Sequence, residues 1–408
     1  MKILHLNTYD AQGGAARAVY RIHQSQQKIG LASTLMVIAK QLDDPSVILP
    51  NSLNHLAKLQ LYKNIKDDQG HYVELMRQNS SLISTGRVGS DLVKEINDSH
   101  YDLVNLHWIN NMLSVADIGE IRKPLVWTFH DMWPFSGILH YTNPTKNMRD
   151  YEVNTSLAKL DRAIFFNKVN CWKSQTFTVI TPSSWLSGCA KESTLFSNSS
   201  IHTIAHPITL STFYRRNSIT SRHDLGLPLN QKLILFCAFN PLNNPIKGWK
   251  TVYETLRQLE VTEPEKYALV ICGSDEEEKP LPFRSYWLGK IHDDERLAKL
   301  YSAVDVVICP SKQEAFGQVA LEAQACGTPV IASNVGGLKD IIQHDKTGLL
   351  VNEGDSSTFV AGIYNIFNQN KDIKKISEAS IENAFSLSEM QKIGNKYADV
   401  YKKIILTK

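Results

Sequence analysis

The chain has 408 residues, 43 % of them apolar and 21 % charged, with a formal net charge of +3. That is enough chain for two domains on the rough scale of about 150 residues each, with ample core. No block of Lys and Arg and no basic helix face dominates, so the small positive excess argues against a nucleic-acid partner. No apolar run approaches about 18 residues, and "MKILHLNTYD" has no signal-type apolar region, so neither a spanning helix nor a signal peptide is expected. The six cysteines, at 171, 189, 237, 272, 309 and 326, include no C-x-x-C pair, and several sit in apolar runs. They read as reduced core residues, which favours the cytoplasm.

In chain order, the first strand candidate is "KILHLN", followed by "AQGGAARAVYRIHQ", where Gly13 and Gly14 open a helix and permit close backbone approach to a ligand. This is not the G-x-G-x-x-G dinucleotide fingerprint, and a plain turn is an equal reading. After the strand "STLMVIA", the run Leu53 to Lys66 carries Leu53, Leu56 and Leu59 on one stripe with Lys58, Lys63 and Lys66 nearby. It reads as a packed helix, with an interfacial helix and peripheral membrane contact as the alternative. The strands "DLVNLHW", "LVWTFH", "FTVITPS" and "IHTIAH" follow. The second of these ends in "WTFHDMWPFSG", which sets His130 and Asp131 at a strand rim with Trp133 and Phe135 behind. A strand-end histidine is usually a satisfied structural group, so His130 needs context.

The polar, proline-bearing stretch 206–231 reads as a hinge between an N-terminal domain, 1–205, and a C-terminal domain, 232–390; residues 391–408 read as a helix returning to the first domain. The second half continues with "LILFCAF", "ALVICGS", "YWLGKI", "DVVICPS" and "PVIAS". Strands alternating with helical patterns in both halves predict an α/β chain with two doubly wound parallel sheets, whose ligands lie beyond the strand carboxyl ends. Two strand-end loops in this half carry chemistry. "AFNPLNNPIKG" offers Asn240 and then Lys247 beside Gly248, a possible phosphate counter-charge. "PSKQEAFGQVALEAQACGTPVIAS" spaces Glu314 and Glu322 eight positions apart, the first in a turn and the second inside a helix whose start at Phe316, Gly317 and Gln318 offers free N–H groups. Carboxylates near a phosphate seat suit hydroxyl groups better than phosphate.

The stretch "PSKQEAFGQVALEAQACGTPVIASNVGGLKDIIQHDKTGLLV", with "TFHD", "TPSSWL" and the early Gly pair, resembles the retaining glycosyltransferases of the GT-B fold, family 4. The wording "HDMWPFSG" is similar to a subgroup acting on bacterial exopolysaccharides of the colanic acid type. The resemblance implies two facing Rossmann-like domains with a cleft between them. It further implies a UDP- or GDP-sugar donor, a saccharide or lipid-linked saccharide acceptor, and transfer with retention of configuration. By it, Glu322 would hold the ribose hydroxyls and Glu314 a hydroxyl of the transferred sugar. The N–H groups of Phe316, Gly317 and Gln318 would meet the sugar or diphosphate, Lys247 the phosphate, and Gly14 the loop near the diphosphate. His130 would lie near the reacting sugar, and Lys290 and Ile291 at the base, with Gly13, Asp131 and Trp133 on the acceptor side. The family's phosphate-binding Arg has no counterpart here; Asn240 is the nearest polar residue and brings no charge. No D-x-D triplet occurs, so no metal or other cofactor is expected. A sugar-nucleotide epimerase of the same architecture and a non-catalytic nucleotide-sugar-binding module are the rival readings.

Overall fold

The computed structural model describes residues 1–75, 82–142, 155–274, 280–368 and 373–406. The chain divides into two units, the first made of residues 1–207 and 390–408 and the second of residues 208–389.

The first unit is built on a seven-stranded sheet. Its strands are β1 (Lys2–Leu6), β2 (Ala32–Met36), β3 (Val47–Ile48), β4 (Leu103–Leu106), β5 (Leu125–Thr128), β6 (Phe177–Thr181) and β7 (Ser200–Thr203). They lie in the order β3-β2-β1-β4-β5-β6-β7, and all pairs are parallel. The strands β4 and β5 are buried at every position, as a parallel sheet covered on both faces requires. One covering layer pairs the helix Gly13–Lys28 with the final helix Met390–Leu406. A Cβ at Gly394 would overlap the Ser25 carbonyl, so glycine lets these two helices approach. Ile3, Ile22, Val126, Ile393 and Tyr397 close the core between that layer and the sheet.

The second unit carries β8 (Lys232–Cys237), β9 (Tyr267–Cys272), β10 (Ser285–Trp287), β11 (Val306–Cys309), β12 (Val330–Ser333) and β13 (Leu349–Val351). The order is β10-β9-β8-β11-β12-β13, again all parallel. In each sheet the strand order reverses once, between β1 and β4 and between β8 and β11, and such switch points open a crevice at the carboxyl ends of the flanking strands.

The stretch 206–231 is not a bare linker. It contains the helix Ser218–Leu225, capped by the Asn217 side chain, which packs on the helix Asp294–Ala303. Arg222, 8 % exposed, is one of its polar residues turned inward: its guanidinium donates to the carbonyls of Ala303, Pro228 and Gln231 and pairs with Asp305 at 2.7 Å.

Candidate functional site

The two loops at the switch point of the second unit are β8 to Gly248 and β11 to Gly317. They are tied together by the Lys312 N–H donating to the Ile246 carbonyl at 2.8 Å. A Cβ at Gly248, which sits at φ +79°, would overlap the Pro310 carbonyl, so only glycine lets the loops come this close. The result is contact between two residues far apart in sequence: Lys247 Nζ lies 2.7 Å from Glu314 Oε2. The Ser311 hydroxyl donates to the same oxygen at 3.1 Å. Glu314 is held from behind by the Gly336-Gly337 turn, where the Gly337 N–H donates to its carbonyl at 2.8 Å and a Cβ at Gly336 would overlap that carbonyl.

Gly317 at φ +111° is the N-cap of the helix Gln318–Ala325 and brings no side chain to cap the first-turn N–H groups. The helix begins at Gln318, two residues after Phe316, because Gly317 at its positive φ cannot join a right-handed helix. Gln318 Nε2 has no hydrogen-bond partner among the described residues. Glu322 is 3 % exposed and accepts from the Tyr301 hydroxyl at 2.8 Å. Burial, with Glu322 alongside, pushes the Tyr301 hydroxyl far above its usual range, so Tyr301 is a fixed donor. Lys290 and Ile291 follow β10, whose loop is fastened to β9 by the Gly273 N–H on the Gly289 carbonyl at 2.9 Å. Asn240 stands at φ +50° in an exposed turn and accepts the Asn243 and Asn244 N–H groups on its carbonyl, so it shapes the loop through its backbone.

In the first unit, Gly13 at φ +87° starts the helix that Gly14 continues, and Gln12 supplies no side-chain cap. His130 lies just beyond β5. Its Nε2 is 3.1 Å from His107 Nδ1, and its Nδ1 has no hydrogen-bond partner among the described residues. Burial pushes its pKa down to about 4 against the pull of Asp131, so the ring is neutral near pH 7. Asp131 and Trp133, expected on the acceptor side, are both packed into the loop behind the rim. Asp131, 8 % exposed, accepts from Trp108 Nε1, the Trp133 N–H and the His140 ring. Trp133, 2 % exposed, donates its Nε1 to the Ser84 carbonyl, and the ammonium of Lys168 sits 3.6 Å from its ring centre. Both therefore anchor the loop. The half-buried aromatics at this rim are Trp108 and Tyr9, with ring centres 6.2 Å apart, which the sequence pattern did not single out. The helix His55–Gly70 also departs from the packed reading: Leu61 is buried, but Leu56, Leu59 and Tyr62 are 75 %, 53 % and 56 % exposed.

Among the described residues no group of three or more His, Cys, Asp or Glu is placed to hold a metal ion. No described helix is long and apolar enough to cross a membrane.

Residues 218–383 match the family of glycosyl transferases group 1. This group 1 segment takes in Lys247, Glu314 and Glu322. D-inositol 3-phosphate glycosyltransferase of Corynebacterium efficiens is 30 % identical over 181 residues, which are 41 % of this chain and 42 % of that one. The homonymous protein of Xylanimonas cellulosilytica is 35 % identical over 175 residues, 38 % and 40 % of the two chains. This chain thus spans less than half the length of the curated relatives it matches. Anabaena HepE, solved in complex with UDP-glucose, aligns over 99 % of this chain and 100 % of its own with a TM-score of 0.69 and 17 % identity. Sucrose-phosphate synthase from Thermosynechococcus elongatus aligns over 100 % of both chains at 0.67 and 18 %. The fold is that of the GT-B enzymes, with a doubly wound parallel sheet in each unit.

Proposed function

We propose that the protein is a glycosyltransferase that takes a sugar from a nucleoside diphosphate donor. The observation that carries this is the second unit's switch point, where the Lys247–Glu314 pair, the uncapped helix start at Gly317 and the buried Glu322 converge within the group 1 segment. Lys247 and the N–H groups supply positive potential for a diphosphate, while Glu314 and Glu322 supply acceptors for hydroxyl groups. In the free protein Lys247 and Glu314 neutralise each other; a bound donor would divide them, its phosphate taking the ammonium and its sugar hydroxyl the carboxylate. The UDP and UDP-glucose complexes of HepE favour a uridine donor over a guanosine one.

Charge developing on the leaving diphosphate is met by Lys247 and the helix N-terminus, a preorganised arrangement that lowers the barrier without a divalent ion. Configuration is retained: an oxygen of the leaving phosphate takes the acceptor hydroxyl proton as the acceptor oxygen joins the anomeric carbon on the same face, and no protein nucleophile forms a bond. The acceptor is a saccharide or lipid-linked saccharide of a bacterial surface polysaccharide. Support for that comes from the "HDMWPFSG" wording and from the exposed Leu56, Leu59 and Tyr62 interspersed with Lys63 and Lys66, a face suited to peripheral contact with anionic lipid.

The test is donor turnover after exhaustive chelation, with and without saccharide acceptors. Nucleoside diphosphate released only with acceptor supports transfer. Interconversion of the donor sugar without release would mean an epimerase, binding without either would mean a non-catalytic module, and activity that returns only with added magnesium or manganese would overturn the metal-free account.

A further inference from the structure

Three histidines of the first unit are joined ring to ring beneath its switch point. His5 on β1 and His107 just past β4 are 0 % and 3 % exposed, and His5 Nδ1 lies 2.8 Å from His107 Nε2. His107 Nδ1 lies 3.1 Å from His130 Nε2, and at the far end His5 Nε2 lies 2.9 Å from Gln26 Oε1. Gln26 belongs to the helix Gly13–Lys28 and is 0 % exposed; its Nε2 donates to the Tyr401 hydroxyl at 3.0 Å. Asn105 donates to the same hydroxyl at 2.8 Å, and its own Oδ1 is committed to the Thr128 N–H.

A neutral imidazole has one N–H and one lone pair, so every link dictates the next. Gln26 Oε1 can only accept, which puts the proton of His5 on Nε2 and leaves a lone pair on Nδ1. The N–H facing that lone pair is His107 Nε2, so His107 Nδ1 is in turn bare. The N–H facing His107 Nδ1 is His130 Nε2. Burial, which pushes His5 down to about 3, His130 to about 4 and His107 well below the ordinary range, keeps all three rings neutral near pH 7.

We infer that Gln26, His5 and His107 are positioning residues that fix His130 as the Nε2–H tautomer and leave its Nδ1 as a bare acceptor for a ligand hydroxyl. His130 Nδ1, without a partner among the described residues, is the end of the chain that needs a ligand, since a buried polar atom without a hydrogen bond calls for an explanation. In this tautomer Nδ1 takes a hydrogen bond from a hydroxyl and has nothing to donate to a phosphate oxygen. Within the nucleotide-sugar reading, on which this step rests, His130 therefore addresses a sugar hydroxyl and leaves the diphosphate to other groups.

The tautomer is read without substrate, from long-range nitrogen–proton NMR spectra of the full chain labelled with nitrogen-15 in histidine, near neutral pH. The His130 signals are identified by their loss in His130→Gln. In the parent the expected result is one tautomer with the proton on Nε2. In His107→Phe, which cuts the chain, His130 should interconvert between tautomers with averaged nitrogen shifts. A parent His130 protonated on Nδ1, or an unchanged single tautomer in a folded His107→Phe, would overturn the inference. If that variant does not fold, the parent spectrum still decides, and Gln26→Leu breaks the chain two links away. In donor turnover His107→Phe should lower kcat about tenfold or more with donor KM nearly unchanged, the pattern of an interaction made in the transition state. Turnover unaffected by the altered tautomer would refute its functional part. Because the spectrum needs no donor, failure of the chain and failure of the glycosyl-transfer reading are separate results.

Discussion

Replacing Lys247 by Met removes the ammonium while keeping most of the aliphatic stem, and the structure separates its two consequences. The Lys247–Glu314 pair is short, at 2.7 Å, but its side chains are 26 % and 16 % exposed. Solvent screens such a pair, so its loss should cost less than about 1 kcal/mol of stability. The effect on chemistry is larger, because a group aimed at charge that develops on the leaving diphosphate acts mainly in the transition state. One such stabiliser is worth about a hundredfold in rate, or about 3 kcal/mol. Turnover of Lys247→Met, followed as nucleoside diphosphate release at saturating acceptor, should fall by about that factor while the thermal midpoint moves by a few degrees at most. The double variant Lys247→Met/Glu314→Gln should lose less than the sum of the single losses, since Glu314 is no longer a charge without its partner. Unchanged turnover in folded Lys247→Met, or a fall in stability large enough to explain the lost activity, would rule out a transition-state role for Lys247.

His130→Ala should keep nucleoside diphosphate affinity and lose most transfer, since His130 is assigned to the sugar; calorimetry with the diphosphate alongside a turnover assay separates the two, and unchanged turnover would return His130 to a structural role. Gly336→Ala places a Cβ on the Glu314 carbonyl at a residue with φ +51° and should destabilise the chain by about 2 kcal/mol, seen in denaturant unfolding; parent-like stability would show that the turn has room. Acid should weaken the fold early. His5 and His130 titrate at about 3 and about 4 when folded and near 6.5 when unfolded, so between those limits the unfolded chain binds more protons. The contribution of these histidines should be flat above about pH 6.5 and fall by about 1.4 kcal/mol per pH unit for each of them below it. Thermal midpoints that do not change between about pH 7 and about pH 5 would contradict neutral buried rings.

Much of the fold could be read from runs such as "LILFCAF" and "DVVICPS", because a strand buried on both faces must be apolar at every position. The strands β3 and β13 escaped because two and three residues carry no periodicity to detect. Glu314, Lys247 and Gly317 were visible from residue type and spacing, but the ion pair between the first two depends on how tightly two distant loops pack at Gly248, a tertiary property. Trp133 was expected on the acceptor side by the family resemblance, whereas Lys168, 35 residues away, donates to its carbonyl at 2.5 Å and covers its ring, a contact no local pattern encodes. The histidine chain did leave a trace: His5 interrupts an apolar strand run, and a polar ring buried in a parallel sheet must find partners. The identity of those partners, His107 and Gln26, is set by strand register and helix docking that no local pattern encodes.

We propose that the second unit binds a nucleotide sugar through Glu322 and its neighbours. Calorimetric titration of UDP- and GDP-sugars into the full chain and into Glu322→Ala tests it most directly, with unfolding midpoints to confirm that the variant is folded. The account predicts saturable binding of a nucleotide sugar by the parent. It also predicts a loss of about 2 kcal/mol, close to thirtyfold in Kd, in the variant, because two donor hydroxyls would lose their acceptor. Binding of equal strength in a folded Glu322→Ala, or no binding of any nucleotide sugar by the parent, would contradict it.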